Sequence, residues 1–181
     1  MMRRPWVHYL LRELIEAHRL IRRSDYEEGL RRCGMDVHGS LIIGLAAVEF
    51  DDHYYAPASG GKGALIVPYF DGNALLDLVA VGLETFACRT RAGVCTVLGG
   101  EQIERARERK TPVRLFKDPI SWLRNGRGGT CVVDWRFARY TLGDVPAVAC
   151  DDELTAAKID RLRQPAVVVP RIFVREAANA G

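Results

Sequence analysis

Three aspartates near the carboxyl end stand where a sheet would present them for chemistry. Thr130–Val133 is β-branched and apolar and runs into Asp134, and Ala147–Cys150 is apolar and runs into Asp151 and Asp152. Carboxylate oxygens are the ligands Mg²⁺ prefers, and a Mg²⁺ held this way supports phosphoryl-transfer or nuclease chemistry. In α/β layers such groups act from just beyond the C-terminal strand ends. A structural role competes with this one. Asp151 or Asp152 would cap a helix opening near Glu153, and Asp134 one over Trp135–Leu142, because a carboxylate satisfies the free N–H groups of a helix start.

A second set is basic. Arg19, Arg22, Arg23, Arg31 and Arg32 gather around the junction of two expected N-terminal helices. Arg124, Arg127, Arg136 and Arg139 follow later, the last two interleaved with Trp135, Phe137 and Tyr140. Guanidinium forks pair with phosphate, and aromatic rings stack on bases, so the combination points to nucleic acid. Rings packed in the core and arginines facing water are the plainer alternative. The net charge of +3 is mild, and an acidic protein partner would satisfy the same arginines.

Other constellations carry less. Glu49, Asp51 and His53 share one face of an extended strand, a set suited to a transition metal, but three ligands on one strand crowd a single ion. The glycine-rich loops Ser59–Gly63 and Asn125–Gly129 precede strands, whereas phosphate-cradling loops follow a strand and open a helix. Five cysteines, odd in number and without a C-x-x-C pair, indicate neither a zinc site nor a disulfide framework. Cys88 and Cys95 flank the Arg91–Ala92 turn and would face each other across a two-residue hairpin loop, which leaves a redox pair open against reduced core thiols.

The elements that must position these residues form a single α+β domain over 1–181: an N-terminal helical pair (1–34), a central antiparallel meander (35–129) and a C-terminal βαβαβ-like layer (130–175). The 48% hydrophobic and 27% charged content suits a folded globular chain. Pro5–Arg23 carries Trp6, Tyr9, Leu10, Leu14 and Ile15 at helical spacing, and Ser24 with Glu27 forms a capping box for the second helix. Ala64–Phe70 and Ala74–Val81 flank an Asp-Gly-Asn turn and make a hairpin. Pro68 cannot donate to a ladder, so its strand is expected at an edge or with a bulge. Thr85–Thr90 and Val94–Leu98 extend the meander. Glu101–Lys110 is a charged helix with Ile103 and Ala106 inward, Asp118-Pro119 opens another that stops at Asn125–Gly126, and a valine-rich strand starts at Ala166. No apolar run reaches the ~20 residues of a bilayer crossing, and a cytoplasmic protein is expected.

This order of acidic strand exits resembles the toprim module of primases and topoisomerases, in which an acidic residue closes one strand, an aspartate pair closes a later one, and Mg²⁺ supports phosphoryl transfer. On that resemblance Asp134 takes the first acidic position and Asp151-Asp152 the pair. In that family the first residue is a glutamate and the pair is separated by one residue. Here the pair is contiguous and would diverge on a strand, so the departures imply a degenerate, non-catalytic copy. The resemblance covers roughly half of the chain, in topology more than in motif, and topology alone does not carry function. The expectation is a non-catalytic binding or accessory protein without a cofactor, associated with nucleic acid or a nucleic-acid-processing partner. The alternatives are a Mg²⁺-dependent phosphoryl-transfer enzyme and a structural, oligomer-forming protein.

Overall fold

A two-residue reversal at Gly72 and Asn73, with Gly72 at a φ of 55°, organises the first sheet. The computed structural model describes residues 6–22, 30 and 43–163. Helix α1 (Trp6–Arg22) precedes an antiparallel sheet of β1 (Gly44–Phe50), β2 (Tyr55–Pro57), β3 (Lys62–Asp71), β4 (Ala74–Gly82) and β5 (Cys88–Thr90), in the order β2-β1-β3-β4-β5. A second sheet holds β6 (Val97–Leu98), β7 (Val113–Phe116), β8 (Thr130–Val132) and β9 (Val148–Cys150), in the order β6-β8-β7-β9. Strands β8, β7 and β9 run parallel, and β6 is antiparallel to β8. Helices α2 (Gly100–Arg109), α3 (Pro119–Arg124), α4 (Ala138–Leu142) and α5 (Glu153–Arg163) complete an α+β fold.

Alternation along β3 and β4 sends Ala64, Ile66, Leu78 and Ala80 to one face, and Leu65, Val67, Val79 and Val81 to the other. Both faces are covered, which is why these strands read as nearly unbroken apolar runs. Leu10, Leu14 and Ala17 of α1 cover the first face. The approach is close: a Cβ on Gly44 would stand 2.4 Å from the Ala17 Cβ. The buried stripe of α1 is Leu10, Leu14, Ala17 and Ile21, at the spacing of one helix face. Tyr9 and Ile15, expected in that stripe, lie outside it, 65% and 42% exposed.

The other face of the first sheet packs on α3 and the second sheet through Leu98, Phe116, Ile120, Trp122 and Cys131. The far side of the second sheet is buried by α2, α4 and α5 through Ile103, Ala106, Leu142 and Ile159. Pro68 sits in β3 just beyond the stretch that β1 pairs, since Gly44 meets Ile66, and a register shift follows at Tyr69/Phe70. Strand β3 is central and not an edge strand, so of the two alternatives expected for this proline it is the irregularity that is present.

Two expectations are corrected. Val94–Leu98 does not extend the meander, because β6 leaves for the second sheet and pairs with β8. The buried Asp77 carboxylate redirects the chain there, accepting from the backbone N–H groups of Leu78, Arg91, Ala92, Val94 and Cys95. Cys88 and Cys95 therefore face no common hairpin and are free thiols. The second correction is β7, an unanticipated strand of four residues lying between β8 and β9. Of the second N-terminal helix only Leu30 is described, helical and buried. The strand expected from Ala166 lies outside the described residues. Among the described residues no helix is long and apolar enough to cross a membrane.

Candidate functional site

Because β8, β7 and β9 are parallel, their exits line one rim, carrying Asp134, Lys117 with Asp118, and Asp151 with Asp152. The rim does not gather the three aspartates singled out in the sequence. With β7 in between, the exits of β8 and β9 lie two strand spacings apart, about 10 Å. The exit beside the aspartate pair belongs to β7, where the Lys117 N–H donates to Asp151 at 3.0 Å.

Each rim carboxylate has a local task. Asp118 caps α3, accepting from the Ser121 N–H at 2.7 Å and the Ser121 hydroxyl at 2.9 Å. Asp152 caps α5 through the Thr155 N–H at 2.9 Å. Asp134 does not cap α4, which opens without a side-chain cap at Phe137, later than expected. It grips the Arg136 guanidinium through both carboxylate oxygens, at 2.6 to 3.1 Å, and accepts the Arg136 N–H. These bonds hold its carboxyl below the usual carboxylate range. Asp151 and Asp152 both lie past the end of β9, so the alternation of a strand does not set their directions. Burial, and after it the neighbouring Asp152 carboxyl, push Asp151 up, while the Thr155 side chain and N–H hold Asp152 down; the second Asp152 oxygen, Oδ2, is buried without a partner. Among the described residues no three His, Cys, Asp or Glu side chains are grouped as metal ligands.

A cleft of about 280 Å³ opens beside the β8 exit, lined by Asp52, His53, Cys88, Arg89, Thr90 and the run Val133–Arg136. It joins two groups nominated separately in the sequence, His53 from the β1–β2 turn and Asp134 with Arg136. Arg89, which drew no notice in the sequence, anchors the wall by donating Nε to the Asp51 carbonyl at 2.9 Å and Nη1 to the Cys88 carbonyl at 2.8 Å. Only pairing β5 with β4 brings it here; no local pattern marks it. The Asp51 side chain closes the turn, accepting the Tyr54 and His53 N–H groups, which hold it below its usual range. Glu49, Asp51 and His53 thus form no ligand set. Burial pushes the Cys88 thiol up to about 12, so at neutral pH it stays protonated and is no nucleophile. Two guanidinium groups and an imidazole line the cleft together with the carboxylates of Asp52 and Asp134.

The described arginines do not form one patch. Arg19 is exposed on α1, Arg22 ends that helix, and Arg23, Arg31 and Arg32 lie outside the described residues. Helix α3 runs back from the rim toward the start of β8, carrying exposed Arg124, and half-buried Arg127 follows in the turn after it, away from the cleft. Exposed Arg139 belongs to α4, on the other side of the second sheet. Among the described arginines of the set, Arg136 alone lines the cleft. Its guanidinium lies 5.7 Å from the Phe137 ring centroid, and Tyr140 is 80% exposed. Trp135 is half-buried, with the Lys158 ammonium 3.6 Å from its ring centroid. Compared with known protein families, curated proteins and solved structures, the chain matches none.

Proposed function

We propose that this protein is a non-catalytic binding module for a phosphate-bearing ligand, nucleic acid first among them, engaged at the cleft beside the β8 exit. One observation carries the reading. Exposed Arg136 and the half-buried ring of Trp135 line one cleft with Arg89 and His53, so cations and a ring meet there, as in single-strand binders. The rim carboxylates support the non-catalytic half, each holding a helix start, a backbone N–H or a guanidinium. The test is fluorescence anisotropy with labelled single- and double-stranded DNA and RNA at two salt concentrations. Binding that falls steeply with salt is expected. No binding at low salt removes the reading.

A second reading is a Mg²⁺-dependent phosphoryl-transfer centre, or a toprim-like module that has lost it. It is favoured by the adjacency of the β7 and β9 exits, with Asp118 on one and Asp151 and Asp152 on the other. It requires that Mg²⁺ raise the melting temperature and that Asp151→Asn abolish the rise.

A further inference from the structure

A groove of about 1080 Å³ runs between the tip of the β3–β4 hairpin, β6, and helices α2 and α4. One wall is aromatic: Phe70 is 42% exposed, Phe137 45% and Tyr140 80%, a concentration of ring surface at one place. The other wall is acidic. Glu101, Glu104 and Glu108 follow one another on α2 at spacings of three and four and so form a single stripe, which Asp71 faces from the hairpin. Like charges at these spacings oppose helix formation. Glu104 is answered by Arg107 at 2.6 Å. That leaves Asp71, Glu101 and Glu108 against the one remaining guanidinium of the lining, Arg105. Arg107 also donates Nη2 to the Thr141 carbonyl at 2.9 Å and keeps Nε buried without an acceptor.

We propose that this groove docks a short basic segment of a partner protein. Its arginine or lysine heads meet the stripe of carboxylates while their alkyl stems and cations lie over Phe70, Phe137 and Tyr140. Helix α2 has 10 residues and is about 15 Å long, which an extended chain covers in about five residues. Phosphate is disfavoured here by the same carboxylates, so this surface is separate from the cleft at the β8 exit and does not rest on the reading given to it.

The probe is a fluorescein-labelled peptide, Arg-Leu-Arg-Leu-Arg, titrated with the intact protein at low and high salt, beside its glutamate counterpart. The arginine peptide is expected to bind with a Kd in the range of about 1–100 μM, to weaken with salt, and to lose roughly tenfold in affinity in both Glu101→Gln/Glu108→Gln and Tyr140→Ala. These side chains are exposed, and unchanged circular dichroism and melting verify that the variants fold. The nucleic-acid titration should not respond to Glu101→Gln/Glu108→Gln, so the two proposals fail separately. Absence of binding at low salt, equal binding by the glutamate peptide, or indifference to the substitutions would overturn the assignment. So would self-association that these substitutions disperse while no peptide binds, which would give the groove to a second copy.

Discussion

Asp77 and Cys95 stand 18 positions apart, yet the Cys95 N–H donates to Asp77 Oδ2 at 2.9 Å inside the core. Four further N–H groups reach the same carboxylate, three of them from the segment that carries the chain from the first sheet to the second. A fully buried carboxylate is tolerated only when charge-assisted bonds replace its hydration.

Removing that acceptor strands several buried N–H groups, each costing about 1–3 kcal/mol. Asp77→Ala is expected to lose more than about 3 kcal/mol, as read by urea unfolding. Asp77→Asn should lose less, since it keeps one acceptor oxygen, yet it turns an amide NH₂ toward donors. If Asp77→Ala unfolds at the wild-type midpoint, the hub does not organise the crossing.

Tyr55 donates to Glu13 Oε1 at 2.7 Å, and Arg91 Nε reaches Glu13 Oε2 at 3.1 Å, which ties α1 to the first sheet and to the loop held by Asp77. Tyr55→Phe should lose about 1.5–3 kcal/mol, the range for a bond to a charged acceptor. Burial, then the Glu13 charge, pushes the Tyr55 phenol far above its ordinary value of 10.0. A raised folded pKa means that this stability is intact below about pH 10 and declines above it, where the unfolded phenol ionises. Spectrophotometric titration near 295 nm should show one phenol that ionises only on unfolding.

Burial, and after it the neighbouring Asp152 carboxyl, raise Asp151 in the fold. With Asp151 raised in the fold, its contribution is full below the unfolded carboxylate value and is lost as pH rises through the folded one. Asp151→Asn should therefore flatten the pH dependence of the melting temperature on the acid side and leave stability at pH 7 equal or higher. Asp118→Ala should cost about 1 kcal/mol, the worth of a helix cap. A Mg²⁺-induced rise in melting temperature that Asp151→Asn removes would favour the metal centre over the binding module.

Arg136→Ala should change stability little, because the Asp134–Arg136 pair is short-range and exposed. Nucleic-acid affinity should fall severalfold, with a shallower salt slope, if Arg136 contacts phosphate. Arg124→Ala, far from the cleft, should leave the anisotropy curve in place. Equal losses in both variants would point to diffuse attraction in place of a cleft.

Much was legible in the chain itself wherever the signal is local. The Gly72 reversal, the Asp118-Pro119 helix start, the inward Ile103 and Ala106, and the Pro68 irregularity all follow from backbone preferences within a few residues. Strand neighbours are different, because pairing depends on contacts between distant segments. Val113–Phe116 is too short to show a period, so no local pattern marks β7 or the separation of Asp134 from Asp151 that it imposes. Tertiary structure alone decided that Asp77 is buried under five N–H groups, that Arg89 and His53 share a cleft with Arg136, and that the glutamates of α2 face a wall of rings. Turns and caps are chosen by dihedral angles and adjacent hydrogen bonds, whereas sites arise from which apolar faces find each other.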